Sequence, residues 1–316
     1  VIMVNKESLK NIARSYVQNN LKFIWKIKDA SNEKKMIEGY NRRKKMSEQE
    51  MVEEVSKKYY FYQGKKLDIV NPKTYTEKIQ YRKIYGYTSE MRDLSDKVLV
   101  RSWVEKKIGK EYLIPCLGVY DSFDEIDFDK LPERFVIKTN HSSGWNMIVK
   151  QKKKFDKAYA KRKFDLWLSL DYAYVTGFEM QYSGIKPKII IEKYVVNSKN
   201  ELPDYKFLCF GGEVKYCWVD MGRYSDHRRN VYDTEWNLQP WTQCHQNADY
   251  SVPKPINYEK MVDIAGKLCK GFEHVRVDLY NVDGKIYFGE MTFTSASGYE
   301  KIIPEKYDLI LGNMWR

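Results

Sequence analysis

The chain has 316 residues, of which 43% are hydrophobic and 15% aromatic, and its formal net charge at pH 7 is +12. This composition excludes an intrinsically disordered chain, and the length accommodates one or two domains. No apolar run in the sequence reaches the roughly 18–20 residues that span a bilayer, which excludes a transmembrane helix. The positive charge suits nucleic acid, an anionic membrane surface, or an acidic polymer or nucleotide. Since no nucleic-acid-binding motif is present, we expect no nucleic-acid partner.

The cysteines and the first residues predict the cellular compartment. The five cysteines and four histidines are scattered without the spacing of a metal site. Residues 1–17 lack an apolar block followed by a small-residue cleavage site, so we expect no export signal. We therefore predict reduced thiols and a cytoplasmic protein.

Basic amphipathic helices are predicted at the start of the chain. Residues 5–60 carry apolar side chains at helical spacing together with many lysines and arginines. A solvated helix face is the simpler interpretation of this charge, and peripheral contact with an acidic membrane or polymer is the alternative. Thr74 is predicted to begin a further helix, and residues 94–108 form another that Ser95 or Asp96 caps.

Six strands are predicted in the middle of the chain. Residues 139–144, between the second and third of them, are small and polar and follow Lys138, which suits backbone amides that close over phosphates. The loop lacks the spacing of a P-loop, so an ordinary hairpin loop is the alternative. Helices are predicted at residues 156–178 and Tyr258–Cys269. The strands are predicted at residues 114–120, 134–138, 145–150, 188–196, 204–210 and 213–219.

Residues 275–298 predict a β-hairpin whose register decides its chemistry. A two-residue turn at Asp283-Gly284 pairs residue 278 with residue 289 and puts the two central acids on opposite faces. A three-residue turn pairs 278 with 288 and 276 with 290, and the polar residues then share one face. We predict the three-residue turn, because it buries the apolar residues together. The residues on the shared polar face are Arg276, Asp278, Glu290 and Thr292.

This polar face predicts a metal and anion site. Two carboxylates and a hydroxyl are oxygen ligands of the kind that Mg²⁺ or Mn²⁺ prefers. An arginine beside them suits an anion such as phosphate. The alternative is a solvated face of an ordinary hairpin.

Taken in order, these segments resemble the ATP-grasp superfamily, and most closely its TupA-like branch, which is linked to capsule and teichuronopeptide synthesis. The resemblance covers about residues 60–316. It implies an α+β ATP-grasp fold, in which two α+β subdomains clasp ATP, preceded by a helical basic N-terminal extension. We expect this extension to span residues 1–93 and the ATP-grasp domain residues 94–316. Its subdomains would be residues 110–195, which grasp the nucleotide, and residues 196–316, which carry the metal site.

The resemblance also implies a role for each motif. Lys97 and Lys138 match the two nucleotide lysines, and Ser142, Ser143 and Gly144 match the phosphate-covering loop. Glu192, Lys193, Tyr194 and Val195 look like the segment that meets adenine. Asp204 matches the residue that binds ribose, with Lys206 in the same nucleotide site. Asp278, Glu290 and Thr292 match the ligands of Mg²⁺, and Arg276 matches the arginine on the triphosphate.

Two features depart from the family pattern. Thr292 stands where an asparagine is usual, although its hydroxyl is still an oxygen ligand. The N-terminal region predicts helices instead of the βαβ domain that normally precedes an ATP-grasp core. Residues 292–298, TFTSASG, resemble the asparagine-threonine-x-proline-glycine segment of D-alanine–D-alanine ligase.

The resemblance implies an ATP-dependent carboxylate–amine ligase that forms an acylphosphate. We expect it to join an amino acid to a uronic acid of a bacterial polysaccharide or its precursor. The candidates for binding the acceptor carboxylate or acylphosphate are Arg223, His227, Arg228 and Arg229, and a salt-bridged loop is the alternative. Other functions compatible with the sequence are a sugar kinase on the same fold, a glycosyltransferase, and a degenerate ATP-binding scaffold. No feature of the sequence indicates an oligomeric state.

Overall fold

The computed structural model describes residues 29–221 and 227–316. The chain divides into two compact units, residues 1–47 and residues 48–316. In the first unit residues 29–43 are helical (α1), while the helix predicted within residues 5–28 and the candidate Arg223 lie outside the described residues. The boundary predicted between residues 93 and 94 stays a prediction. No helix of the described ranges is long and apolar enough to cross a membrane.

The second unit begins with helices. Thr74 caps α3 as predicted, because its side chain accepts from the backbone N–H of Glu77 while Glu77 accepts from the N–H of Thr74. The helix predicted over residues 94–108 is interrupted. The Asp96 carboxylate accepts from the backbone N–H of Val98 at 2.7 Å, and this local bond competes with a continuous helix. The helices are α2 (Glu48–Gln63), α3 (Tyr75–Ile84), α4 (Ser89–Ser95) and α5 (Leu99–Ile108).

A four-stranded antiparallel sheet follows, with strand order β1-β4-β2-β3. Period-2 patterning buries Phe135 and Ile137 of β2 beside Ile189 and Ile191 of β4, and Phe164 of α6 packs into the same core. The elements are β1 (Cys116–Tyr120), β2 (Phe135–Thr139), β3 (Asn146–Val149), α6 (Lys157–Leu168), α7 (Tyr172–Thr176) and β4 (Ile189–Lys193).

The larger sheet has five antiparallel strands in the order β10-β9-β5-β6-β7, and a two-stranded ribbon pairs β11 with β8. The remaining helices are α8 and α9, so the predicted α+β class is confirmed. The elements are β5 (Asp204–Phe210), β6 (Glu213–Met221), β7 (Arg228–Tyr232), β8 (Thr242–Gln243), α8 (Tyr258–Cys269), β9 (His274–Val282), β10 (Lys285–Thr292), β11 (Ile302–Ile303) and α9 (Lys306–Met314).

The two faces of the larger sheet differ in how they are covered. One face packs on α8, with Phe207 and Val277 in the shared core. On the opposite face, Leu208 and Phe210 of β5 are buried with residues of α3 and α9. Asp204 and Lys206 alternate with Phe207 on the same strand and therefore share that opposite face at its other end. The sheet thus presents a polar end beyond its apolar cover, and this end carries the site.

The predicted turn between β9 and β10 is wrong, although the predicted face is correct. Val282 pairs with Lys285, so the turn has two residues instead of three. A β-bulge then shifts the register at Gly289: Phe288 pairs with Leu279, whereas Glu290 pairs with Asp278. The same shift pairs Thr292 with Arg276, so the predicted pairs 278–288 and 276–290 do not form.

Candidate active site

The polar face of the β9–β10 hairpin holds an arginine surrounded by oxygen atoms. Arg276 donates Nε and Nη2 to the two carboxylate oxygens of Asp278, at 2.7 Å each. Its Nη2 also lies 3.1 Å from Glu290 Oε1 and 3.1 Å from Thr292 Oγ1. Thr292 in turn donates to Glu290 at 2.8 Å. The structure therefore brings these four predicted residues together in one network.

The two acids of this network differ in proton affinity. Burial raises the pKa of Asp278 to about 6, against the opposing effect of Arg276 and Lys206. Burial alone would also raise the pKa of Glu290, but Arg276, Lys97 and the Thr292 hydroxyl outweigh it and lower that pKa. Glu290 is therefore an ionised oxygen donor at neutral pH, as a divalent cation requires.

Two lysines line a narrow cleft beside this network. Lys97 follows α4, donates its Nζ to the Ser142 carbonyl and donates its backbone N–H to Asn140 O at 3.1 Å. Lys138 of β2 lies 2.5 Å from Glu192 of β4. Both lysines line the cleft together with Glu192 and Glu290. Burial, assisted by the Lys138 charge, lowers the pKa of Lys97 to about 8.

The cleft also contains groups that sequence reasoning missed. Arg101 of α5 donates to Glu192 at 2.9 Å and to the Ile114 carbonyl at 2.8 Å, so Glu192 pairs with two cations. Gly289 lines the same cleft, and a Cβ atom at this position would lie 2.9 Å from the Asp278 carbonyl oxygen. The sequence signal for Gly289 is a glycine inside a predicted strand, which often marks a bulge.

The loop between β2 and β3 points some of its side chains inward and exposes others. The hydroxyls of Ser142 and Thr139 form a hydrogen bond with each other, and Ser142 is buried. Ser143 and Gly144 are exposed, and the Ser143 carbonyl accepts from Tyr172 OH at 2.7 Å. His141 is buried, and burial lowers its pKa. The loop thus leaves Ser143 and Gly144 accessible for a ligand.

The residues expected to contact adenine and ribose lie on β4 and β5. Lys193 ends β4, and its backbone N–H donates to Pro115 O at 2.9 Å, while Tyr194 and Val195 follow the strand. Asp204 and Lys206 are buried on β5 and form an ion pair with each other. Their predicted roles toward a nucleotide stay predictions.

Lys206 belongs to a continuous row of alternating charges. Its Nζ lies 4.0 Å from Asp278 Oδ2 and 3.6 Å from Asp220 Oδ2. Arg229 of β7 lies 2.6 Å from Asp220 and 2.8 Å from Glu300. The row links the hairpin network to the far side of the sheet. In order, it runs through Arg276, Asp278, Lys206, Asp220, Arg229 and Glu300.

The candidate Arg228 is directed elsewhere. Its Nη1 donates to the Gln246 side chain at 3.0 Å, whereas its neighbour Arg229 joins the charge row. Alternation along β7 explains the difference, since successive residues of a strand face opposite sides. Any contact of Arg228 with a substrate stays a prediction.

A larger cavity of about 850 Å³ adjoins the hairpin network. Arg276, Glu290 and Thr292 line one part of it, and Glu179 lines another. Glu179 is buried and accepts a hydrogen bond from Thr294, and burial raises its pKa. Sequence reasoning missed this cavity, because its lining residues come from segments that are far apart in the chain. Its aromatic lining residues are Tyr62, Tyr172, Tyr182 and Tyr299.

Comparisons with known proteins give one family and several solved structures to which this chain is similar. A family model described as TupA-like ATPgrasp matches residues 77–316. Among solved structures, D-alanine–D-alanine ligase from Bacillus anthracis complexed with ATP has a TM-score of 0.39 at 16% identity, over 70% of this chain and 64% of that chain. Phosphoribosylamine–glycine ligase from Thermotoga maritima has a TM-score of 0.40 at 13% identity, over 66% and 51%. D-cycloserine synthetase has a TM-score of 0.36 at 15% identity, over 71% of both chains.

The chain thus spans 64% of the Bacillus ligase and about half of the Thermotoga ligase. No curated protein matches its sequence. The family model, however, matches more than half of the 316 residues. The matched range contains all residues of the narrow cleft and the hairpin, and all lining residues of the larger cavity except Lys58 and Tyr62 of α2. The chain therefore belongs to the TupA-like ATP-grasp family, which confirms the predicted fold and the predicted ATP-grasp superfamily.

Proposed function

We propose that the protein is an ATP-dependent carboxylate–amine ligase that joins an amino acid to the carboxylate of an acidic sugar. The observation that carries this proposal is the arrangement of Lys97 and Lys138 in one cleft with Glu290, beside a cavity large enough for two substrates. Ligand cavities of a few hundred to about 1,000 Å³ are typical of small-molecule sites. The cationic and anionic groups suit a triphosphate and its divalent cation.

ATP is the co-substrate, and we assign it to the narrow cleft. Lys97 and Lys138 would bind its phosphates under Ser143 and Gly144, the segment 192–195 would contact adenine, and Asp204 with Lys206 would face the ribose. The cleft volume is about 30 Å³, so the cleft must widen to admit a nucleotide. Lys97 and Lys138 would then exchange their present partners, the Ser142 carbonyl and Glu192, for phosphate oxygens.

The residues of the hairpin fit a divalent cation. Asp278, Glu290 and Thr292 offer hard oxygen donors, and the low pKa of Glu290 keeps one donor charged. We propose that they hold Mg²⁺ or Mn²⁺, which when bound would offset phosphate charge and polarise the γ-phosphoryl group. Arg276 fixes both carboxylates by hydrogen bonds and so orients them before any ligand binds.

The reaction proposed for this site has two steps. The substrate carboxylate attacks the γ-phosphorus, and ADP leaves as an acylphosphate forms. The amine then attacks the acyl carbon and phosphate leaves. Arg276, at the junction of the network and the larger cavity, is placed to stabilise the acylphosphate. Glu179 is the buried carboxylate of that cavity. In its ionised form it would pair with the ammonium group, and its raised pKa makes it a stronger base for that group's proton.

The lining of the larger cavity supports an acidic sugar as the carboxylate substrate. Its lining includes four tyrosines, which offer aromatic surface for a sugar to contact, and Lys58 and Lys301, whose positive charges suit a carboxylate. The overall charge of +12 agrees with an acidic glycan or its precursor. Because all five cysteines are free thiols, we place the reaction in the cytoplasm, with the basic N-terminal helices as a proposed peripheral contact to the membrane.

The proposal is tested by incubating the full chain with ATP, Mg²⁺, a uronate sugar nucleotide and a mixture of amino acids. We expect release of ADP and phosphate and a product that mass spectrometry identifies as the amide. A product that retains phosphate would instead identify a sugar kinase. ADP release at background with every carboxylate–amine pair, or thermal stabilisation by sugar nucleotides and not by ATP, would contradict the proposal.

The pKa of Lys97 predicts a pH dependence of nucleotide binding. With a pKa of about 8, Lys97 is charged below that pH and neutral above it. If the charged form binds phosphate, affinity for ATP in saturating Mg²⁺ falls about tenfold per pH unit above about pH 8. Calorimetric titration between about pH 7 and about pH 9.5 measures this decline.

The matched control is Lys97→Arg, since a guanidinium stays charged throughout this range. The variant should bind ATP with an affinity that is nearly independent of pH. An equal decline in both proteins would assign the effect to another group and disprove the role of Lys97.

A further inference from the structure

Three side chains with different ligand atoms converge at the edge of the larger cavity. One ligand atom each from Cys244, His245 and Glu300 lies within 4.8 Å of the other two. Cys244 and Glu300 both line the cavity. The sequence shows no metal-binding spacing here, because Glu300 is distant along the chain and reaches the pair only through folding.

The β8–β11 ribbon produces this convergence. Ile302 pairs with Gln243, and the backbone N–H of Cys244 donates to Lys301 O at 2.9 Å. The antiparallel pairing therefore sets Cys244 directly beside the end of the segment that contains Glu300. Glu300 lies two residues before β11, so the ribbon holds it near Cys244.

A tight turn directs Cys244 and His245 to the same point. Cys244 has a left-handed backbone with φ of 67°, and the His245 N–H donates to Gln243 O at 2.8 Å. Thr242 Oγ1 fixes the turn by donating to His245 O at 2.7 Å. Successive residues of a regular strand would point to opposite sides. A strained left-handed cysteine is uncommon and is a reason to look for a function.

The charges around these residues favour a cation. Arg229 lies 2.6 Å from Asp220 and 2.8 Å from Glu300, and Lys206 lies 3.6 Å from Asp220, so two cations balance these two acids. A thiolate at Cys244 would add a third negative charge. The ring of His227 packs against His245 with centroids 3.7 Å apart and an interplanar angle of 32°, and so restricts the orientation of that imidazole. A divalent cation would balance the thiolate and the carboxylate.

We propose that Cys244, His245 and Glu300 form a Zn²⁺ site whose fourth coordination position opens to the larger cavity. Thiolate and imidazole ligands select zinc over magnesium. Three protein ligands with one open position are typical of zinc sites that bind water or a substrate oxygen. The site is separate from the oxygen ligands of the hairpin and does not depend on the proposed ligase reaction.

The test uses metal binding to the full chain and no activity assay. After loading with Zn²⁺ and desalting, we expect about one zinc per chain by mass spectrometry. Loading with Co²⁺ should give a thiolate-to-cobalt charge-transfer band in the near ultraviolet and the strong visible bands of a tetrahedral site. Cys244→Ser should remove the charge-transfer band and weaken Zn²⁺ binding by at least about tenfold. Removing a group that only hydrogen-bonds a metal ligand already lowers metal affinity by about that factor, and Cys244 is proposed as a ligand itself.

The matched control is Cys116→Ser, which removes another exposed thiol and should leave the cobalt spectrum unchanged. Glu300→Gln should keep the charge-transfer band and weaken affinity, because the thiolate remains. Circular dichroism and thermal unfolding verify that each variant is folded. A charge-transfer band that persists in Cys244→Ser, or wild-type zinc content equal to that of this folded variant, would overturn the proposal.

Discussion

Replacing Glu290 by Gln is expected to lower ATP-dependent turnover by about 10²–10³-fold while the protein stays folded, which is the range for losing one preorganised electrostatic group. The Glu290 side chain is 39% exposed, so the substitution has little effect on packing. Gln keeps the shape and an acceptor for Thr292 but removes the negative charge that faces Lys97 and Arg276. The measurement is the rate of ADP release together with Mn²⁺ affinity, both of which should fall.

Asp308→Asn is the matched control for Glu290→Gln. Asp308 is a buried acid of the same unit. Its carboxylate accepts hydrogen bonds from the backbone N–H of Thr76 at 2.9 Å and from the Thr76 hydroxyl at 2.7 Å, at the start of α3. Its loss should lower stability without changing Mn²⁺ affinity or the turnover of folded protein. A Glu290→Gln enzyme that turned over within about threefold of wild type would remove Glu290 from the proposed machinery.

Gly289→Ala is expected to lower the free energy of unfolding by about 1–3 kcal/mol, as overpacking does. The new Cβ atom would lie 2.9 Å from the Asp278 carbonyl oxygen and 3.3 Å from the Tyr280 ring, so the bulge must distort. Because the bulge sets Glu290 opposite Asp278, turnover should fall together with stability. Urea denaturation followed by circular dichroism measures the first effect, and ADP release below the transition measures the second.

The control is the substitution of another glycine with open surroundings. Gly266 lies inside α8, and no atom would lie within 4 Å of a new Cβ there. Gly266→Ala should raise the free energy of unfolding by about 0.5–1 kcal/mol, since alanine loses less backbone entropy in a helix. If both substitutions changed the free energy of unfolding in the same direction, the crowding at the bulge would not be the cause of the effect of Gly289→Ala.

The sequence pattern predicted correctly those helices and strands whose structure depends mainly on residues adjacent in the chain. The bounds of β5 and α8 agree with the sequence prediction, because period-2 alternation before Gly211-Gly212 and a strongly amphipathic helix leave few alternatives. The shared face of Asp278 and Glu290 was also predictable. The predicted turn was wrong, however, because a two-residue turn followed by a bulge at Gly289 produces the same shared face as a three-residue turn without a bulge.

Features that join distant segments could not be predicted from the sequence. The alternation of β7 turns Arg229 and not Arg228 toward Asp220, which requires the strand pairing to be known. The larger cavity and the cluster at Cys244 likewise need several elements in place at once. The motifs thus predict which residues can bind phosphate and metal, while the three-dimensional fold decides which substrate groups they meet.

The charge row connects the two ends of the larger sheet through a series of electrostatic interactions. Each charge in the row is stabilised by its neighbours of opposite sign, at separations of 2.6–4.0 Å. A cation that binds beside Asp278 would compete for the carboxylate that Lys206 faces and so strengthen the attraction of Lys206 to its other two acids, Asp204 and Asp220. That change in turn weakens the hold of Asp220 on Arg229 and tightens the pair with Glu300. Ligands at opposite ends should therefore be thermodynamically coupled, each altering the affinity of the other by the same factor.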